Sequence, residues 1–171
     1  MHRLTLIGMP GSGKSAVGNI LAARLGWDFV DTDKCIEERH GMLLQALIDQ
    51  VGDESFIRLE EETILNLAIG EQTVISTGGS VVYSDAAMRH LAAISTVVFL
   101  DAPIEAIRAH IASEAPRGII RMTAGGLEEL FQERLPRYRH YASITVRFHS
   151  ETPEEVATQV LSELQKESPA G

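Results

Sequence analysis

The most constraining stretch of the chain is "GMPGSGKS", Gly8 to Ser15, which follows the short apolar run "RLTLI" (3–7) and opens a helical pattern. It matches the full GxxxxGK[ST] spacing in the context that spacing requires, after a strand and before a helix. Glycines allow a tight loop whose backbone N–H groups converge on phosphate oxygens, and the helix amino end adds donors and a favourable dipole. Gly11, Ser12, Gly13, Lys14, Ser15 and Ala16 are therefore expected to cradle a nucleoside triphosphate. Lys14 is placed to reach the β- and γ-phosphates, and Ser15 to ligate Mg²⁺.

After this loop, strand and helix alternate along almost the whole chain. "DFV" (28–30), "TVIST" (73–77), "STVVFL" (95–100) and "SITVRF" (143–148) read as further strands. Helical periods run to about Leu25, through Ile36–Leu47 with a break near Gly41, and over Glu54–Leu67. Others run from Ile104, from Leu127 to about Tyr141, and from Thr152–Pro153–Glu154–Glu155, where proline and acids favour a helix start. This pattern predicts an α/β fold with a mainly parallel sheet, and 171 residues suit one domain. The 24 acidic and 15 basic side chains give a formal net charge of −9, which disfavours nucleic acid and anionic membrane as partners. A lone cysteine, Cys35, excludes a disulfide framework and a cysteine-rich metal site. The chain reaches Gly8 too early for a signal peptide and has no 18-residue apolar run, so a cytoplasmic protein is expected.

Three classes share the glycine loop. A GTPase should carry an NKxD-like signature, and none is present. A large ATPase needs an acid closing a hydrophobic strand, a sensor and more chain; here "TVIST" runs instead into Gly78–Gly79, while Asp101 closes the other apolar strand. A small kinase fits best, needing only the nucleotide core, an acceptor pocket and a lid. Asp31 and Asp33 leave the carboxyl end of the second strand, where ligands bind in parallel sheets. They can hold Mg²⁺ through water and orient an acceptor hydroxyl, or simply start the next helix at Asp33. Gly78 and Gly79 can expose backbone N–H groups to an acceptor, or form a plain turn. The aperiodic, Gly- and Pro-rich stretch of about 113–126 reads as the lid, with Arg117 as its charge-stabilising arginine and Arg121 as a surface residue. Arg134, Arg137 and Arg139 form a basic run from which an anionic acceptor would need one member. The histidines show no metal spacing.

Taken together, "GMPGSGKSAVG", "DFVDTD", "STGGS", "PRGII" and "ERLPRY" resemble the shikimate kinases, from about Leu4 to the final helix. The resemblance implies a five-stranded parallel sheet of the nucleoside monophosphate kinase type. It also implies transfer of the γ-phosphate of ATP, with Mg²⁺, to the 3-hydroxyl of shikimate in aromatic amino-acid biosynthesis. Under it, Lys14 and Ser15 hold phosphate and Mg²⁺, Asp31 binds the metal through water, and Asp33 contacts the acceptor hydroxyls. Gly78, Gly79 and Ser80 line the acceptor site, Arg117 is the lid arginine, Arg134 binds the acceptor carboxylate, and Arg108 lies against adenine.

Two departures bear on the acceptor. Members usually read Phe-Arg where this chain has Phe56–Ile57, so Arg58 comes one residue late; one helical step turns a side chain by about 100°. Arg58 stays among the acceptor-site candidates, and the nearby Glu60 is read as the partner of a surface arginine. The family's three-glycine strip is here Gly78–Gly79–Ser80. Two alternatives stay open: the same reaction on a different small acceptor, such as a hydroxy acid or an amino alcohol, and a non-catalytic nucleotide-binding regulator. A monomer is expected, with a dimer as the alternative.

Overall fold

The computed structural model describes residues 2–113 and 119–167. Its five strands are β1 (Arg3–Ile7), β2 (Asp28–Asp31), β3 (Thr73–Ser76), β4 (Thr96–Asp101) and β5 (Ile144–Arg147). They form one sheet in the order β2-β3-β1-β4-β5, and every neighbouring pair is parallel. The central strand β1 pairs Leu4 with Val74 of β3 and with Thr96 of β4. Strands covered on both faces read as continuous apolar runs, and Leu4, Leu6, Ile7 and Val97–Leu100 are all buried. The chain leaves β1 toward β2 on one side, and the connection from β3 to β4 crosses to the other side, so a crevice opens beyond the carboxyl end of β1, where such sheets bind ligands.

The helices are α1 (Lys14–Leu25), α2 (Thr32–His40), α3 (Leu44–Val51), α4 (Asp53–Leu65), α5 (Asp85–Ile94), α6 (Ile104–Ser113), α7 (Gly126–Tyr141) and α8 (Pro153–Glu167). Residues Gly79–Tyr83 form a 3₁₀ turn. The main core gathers both sheet faces with α1, α5, α7 and α8. A second apolar cluster, Ile36, Leu47, Ile48, Phe56, Ile57 and Ile120, joins α2, α3 and α4 to the chain returning toward α7. One side of the crevice is thus built on a small core of its own.

Local chemistry explains the element ends. The Thr152–Glu155 pair forms a capping box at α8: Thr152 N–H donates to Glu155 Oε2 at 2.8 Å and Glu155 N–H to Thr152 Oγ1 at 3.3 Å. Gly26 closes α1 in the left-handed region, its N–H donating to Ala22 O. The segment between β3 and β4, assigned no element from sequence, holds the 3₁₀ turn and α5. Ser84 caps α5, accepting from Ala87 N–H at 3.0 Å. Its apolar face is Ala87, Met88 and Leu91, a weak signal because an alanine supplies part of it.

Candidate active site

The glycine loop leaves β1 at Ile7 and turns into α1 through two residues in the left-handed region, Gly11 (φ 78°) and Gly13 (φ 84°). A side chain at either would strain the turn. Gly13 caps α1 without a side chain, and no acid stands in the first turn, so the helix amino end is kept for an anion. The Lys14 side chain is buried across the loop, donating to Gly8 O at 2.9 Å and Met9 O at 2.8 Å. Those bonds hold its ammonium where phosphates would lie against the loop.

At the carboxyl end of β2, Asp31 performs two jobs. Its Oδ1 accepts from the N–H groups of Asp33 (3.0 Å) and Lys34 (3.4 Å), capping α2, while its Oδ2 accepts from Ser15 Oγ at 2.6 Å. The helix therefore starts at Thr32 with Asp31 as its cap, and Asp33 sits in the first turn. Ser76 Oγ stands 3.4 Å from Ser15 Oγ, at the end of β3. No group of three or more His, Cys, Asp or Glu side chains that could hold a metal occurs among the described residues. Hydroxyl and carboxylate oxygens side by side nevertheless suit Mg²⁺, which keeps several waters and uses few protein ligands.

A cavity of about 180 Å³ runs from this loop to the second cluster. Gly11, Gly13, Lys14, Ser15 and Ala16 line one end; Asp33, Glu60, Gly78, Gly79, Ser80 and Arg134 line the other. The glycine strip is there for space. A Cβ on Gly78 would collide with Glu60 Oε1 and stand 2.8 Å from Asp33 Oδ1. A Cβ on Gly79 would stand 2.6 Å from Pro10 Cδ and 3.1 Å from Arg134 Nη1. Gly79 O is itself fixed by Tyr138 Oη at 2.6 Å.

Arg134 is 1% exposed. Its Nε donates to Tyr83 Oη at 3.2 Å and its Nη2 to Ile120 O at 2.6 Å, which leaves Nη1 beside the glycine strip. Glu60, read from the sequence as a possible partner for a surface arginine, is 2% exposed. Its position four residues after Phe56 puts it on the inward face of α4, where Ser80 Oγ donates to Oε2 in a short hydrogen bond. Glu60 Oε1 is buried with no hydrogen-bond partner. Burial first, and Asp33 second, push the Glu60 carboxyl up to about 8. Sequence reasoning missed this group; the Phe56–Glu60–Thr63 spacing on one helix face was the available signal.

Other candidates fall elsewhere. Arg58 is exposed, its Nη2 donating to Ser55 Oγ at 3.2 Å, and the structure does not bring it to the cavity. Ile57, where the resemblance implies an arginine, packs into the second cluster and adds no charge. Arg108 lies exposed on α6, 3.5 Å from Glu128 Oε2, outside the cavity lining, whereas His110 of the same helix lines it. Ser12 is buried within the loop, with Lys14 Nζ 3.5 Å from its Oγ. Arg117 and part of the expected lid, residues 114–118, lie outside the described residues. Arg121 does return to the scaffold: its N–H donates to Asp53 Oδ2 at 2.7 Å and its Nη2 to Glu54 Oε1 at 2.7 Å.

Comparison with known proteins places this geometry. A family profile described as shikimate kinase matches residues 10–165. The shikimate kinase of Sulfurihydrogenibium sp. is 32% identical over 166 residues, covering 97% of this chain and 99% of that protein. That of Paracidovorax citrulli is 41% identical over 145 residues, covering 82% and 79%. Among solved structures, shikimate kinase from Aquifex aeolicus superposes with a TM-score of 0.84 at 31% identity, covering 99% of each chain.

Proposed function

The chain belongs to the shikimate kinase family, and from that premise we propose that it transfers the γ-phosphoryl group of ATP to a hydroxyl of shikimate. The observation that carries this reading is the cavity that joins the Lys14 end of the loop to Asp33, Gly78–Gly79 and Arg134. Donor and acceptor would meet there over a short distance, with the sheet behind them excluding water.

In this reading the acceptor oxygen forms a bond to the γ-phosphorus while the bond from that phosphorus to the β–γ bridging oxygen breaks. Asp33 orients the hydroxyl and takes its proton late in the transfer. Lys14 and the α1 amino end neutralise charge on the phosphates, and Arg117 adds to that from the lid. Ser15 and Asp31 would hold Mg²⁺, which supplies charge neutralisation on the phosphates when bound. Arg134 Nη1 receives the acceptor carboxylate.

The test is ADP release by the purified protein with Mg²⁺-ATP, with shikimate as the acceptor. Turnover that depends on shikimate and yields a phosphate monoester by ³¹P NMR is the expected result. ADP release indifferent to shikimate would overturn the assignment.

A further inference from the structure

The 3₁₀ turn Gly79–Tyr83 and helix α7 are tied to each other at two points, in opposite directions. At the start of the turn, Tyr138 of α7 donates its hydroxyl to Gly79 O at 2.6 Å. At the end of the turn, Tyr83 Oη accepts from Arg134 Nε of α7 at 3.2 Å. The turn that carries the glycine strip is thereby fixed against the helix that carries Arg134.

The second tie falls on a residue with no substitute. Among the described residues that line the cavity, Arg134 is the one arginine. Ile57 packs into the apolar cluster and Arg58 turns out to Ser55. A guanidinium is planar and donates only in its own plane, so its orientation decides what it can hold. For Arg134 that plane is set by two bonds, from Nε to Tyr83 Oη and from Nη2 to Ile120 O. Nη1 is then left at the strip, 3.1 Å from where a Gly79 side chain would begin.

Tyr83 is itself well seated. Its ring packs on the second apolar cluster. The guanidinium carbons of Arg121, Arg134 and Arg137 stand 4.3, 5.1 and 5.1 Å from the ring centre, within reach of its electron-rich face. Arg121, in the left-handed region at φ 57°, is anchored in turn to α4 through Asp53 and Glu54. Tyr83 does not line the cavity, so any part it takes in acceptor binding passes through Arg134.

We infer that Tyr83 is a positioning residue for the acceptor carboxylate: it fixes the Arg134 guanidinium so that Nη1 faces the glycine strip, and so gives the pocket its preference for an anionic over a neutral acceptor. The inference rests on the kinase reading, in which Arg134 receives that carboxylate. Without the Tyr83 oxygen, Nε is buried and unmet, and the side chain turns toward another acceptor, taking Nη1 away from the strip. A tyrosine that only stabilised the fold would instead affect every acceptor alike.

The experiment measures kcat and KM for shikimate and for its methyl ester, which keeps the hydroxyls and lacks the charge, together with calorimetric binding of both in the presence of Mg²⁺-ADP. The wild-type protein should prefer shikimate. Tyr83→Phe deletes the hydroxyl and keeps the ring; it should raise the shikimate KM about 10-fold, the loss of one hydrogen bond to a charged group. The kcat, the KM for ATP and the KM for the ester should stay within about 2-fold of wild type, since only ground-state binding of the carboxylate is lost. Tyr83→Met removes the ring as well and should lose at least as much, which settles the matter if Tyr83→Phe does not fold. In an Arg134→Met background, Tyr83→Phe should add no further loss, because the residue through which it acts is gone.

Equal losses on shikimate and ester, an unchanged shikimate KM in a folded Tyr83→Phe protein, or additive losses in the double variant would overturn the inference while leaving wild-type shikimate turnover intact. A wild-type protein that turns over no acceptor would instead remove the kinase reading. The calorimetric ratio of shikimate to ester across the variants would then decide the role of Tyr83 alone, and a protein that binds no shikimate would overturn that role too.

Discussion

At Gly78 the backbone lies at φ −64° and ψ 155°, an ordinary extended conformation, so the glycine is not required by strain. It is required because Glu60 Oε1 and Asp33 Oδ1 occupy the space of a side chain. Gly78→Ala should therefore act sterically. We expect at least a 10-fold rise in acceptor KM and little change in the KM for ATP. Overpacking of this kind costs about 1–3 kcal/mol of stability, which thermal unfolding would read. A normal acceptor KM in a folded Gly78→Ala protein would show that the acceptor does not approach this strip. Residue-level reasoning from sequence found Gly78 and Gly79 but credited them with exposed N–H groups. The structure adds the crowding behind them, which involves α2 and α4 and has no local sequence signal.

Asp31 shows how one element end can serve the fold and, in the function proposed above, the reaction as well. It caps α2 through Oδ1 and meets Ser15 through Oδ2. Asparagine caps a helix about as well as aspartate but lacks the charge. Asp31→Asn is thus expected to keep stability within about 0.5 kcal/mol, while kcat/KM falls roughly 10- to 100-fold, the cost usual for a residue acting on a metal through its outer shell. Equal losses of stability and activity would mean that the cap alone explains the residue. The other element ends divide by how local their signals are. β1, the loop and α1 were legible because strand run, glycine spacing and helical period follow one another without interruption. The start of α8 was legible because proline and acids stand together. α5 escaped because alanine carries part of its inward face, and its burial depends on the sheet lying beneath it. The one-residue shift from Ile57 to Arg58 was legible as well: with 100° between successive positions, one of them faces the second cluster and the other faces solvent.

Across the whole molecule, the buried Glu60 makes stability depend on pH in a stated direction. Its carboxyl is raised from the ordinary 4.5 to about 8 in the fold, so between those values the native state holds a proton that the unfolded chain has released. Stability should then fall as pH rises through that window, by up to about 1.4 kcal/mol per pH unit, and level off above it. Glu60→Gln should flatten this part of the profile in urea titrations at pH 5, 6, 7 and 8; a wild-type profile already flat there would mean that the carboxyl is not protonated in the fold. The sequence by itself determined the parallel α/β architecture, the phosphate-binding loop and the carboxylates at the end of β2. Those features rest on spacings of a few residues, over which backbone geometry alone dictates which groups come together. Tertiary structure alone decided that Glu60 is buried, that Arg134 is held by Tyr83 and Ile120, and that both meet the Gly78–Ser80 strip. Those groups come from α4, α7 and the turn after β3. Their charges interact strongly only because packing removes water from between them, which no single stretch of chain can specify.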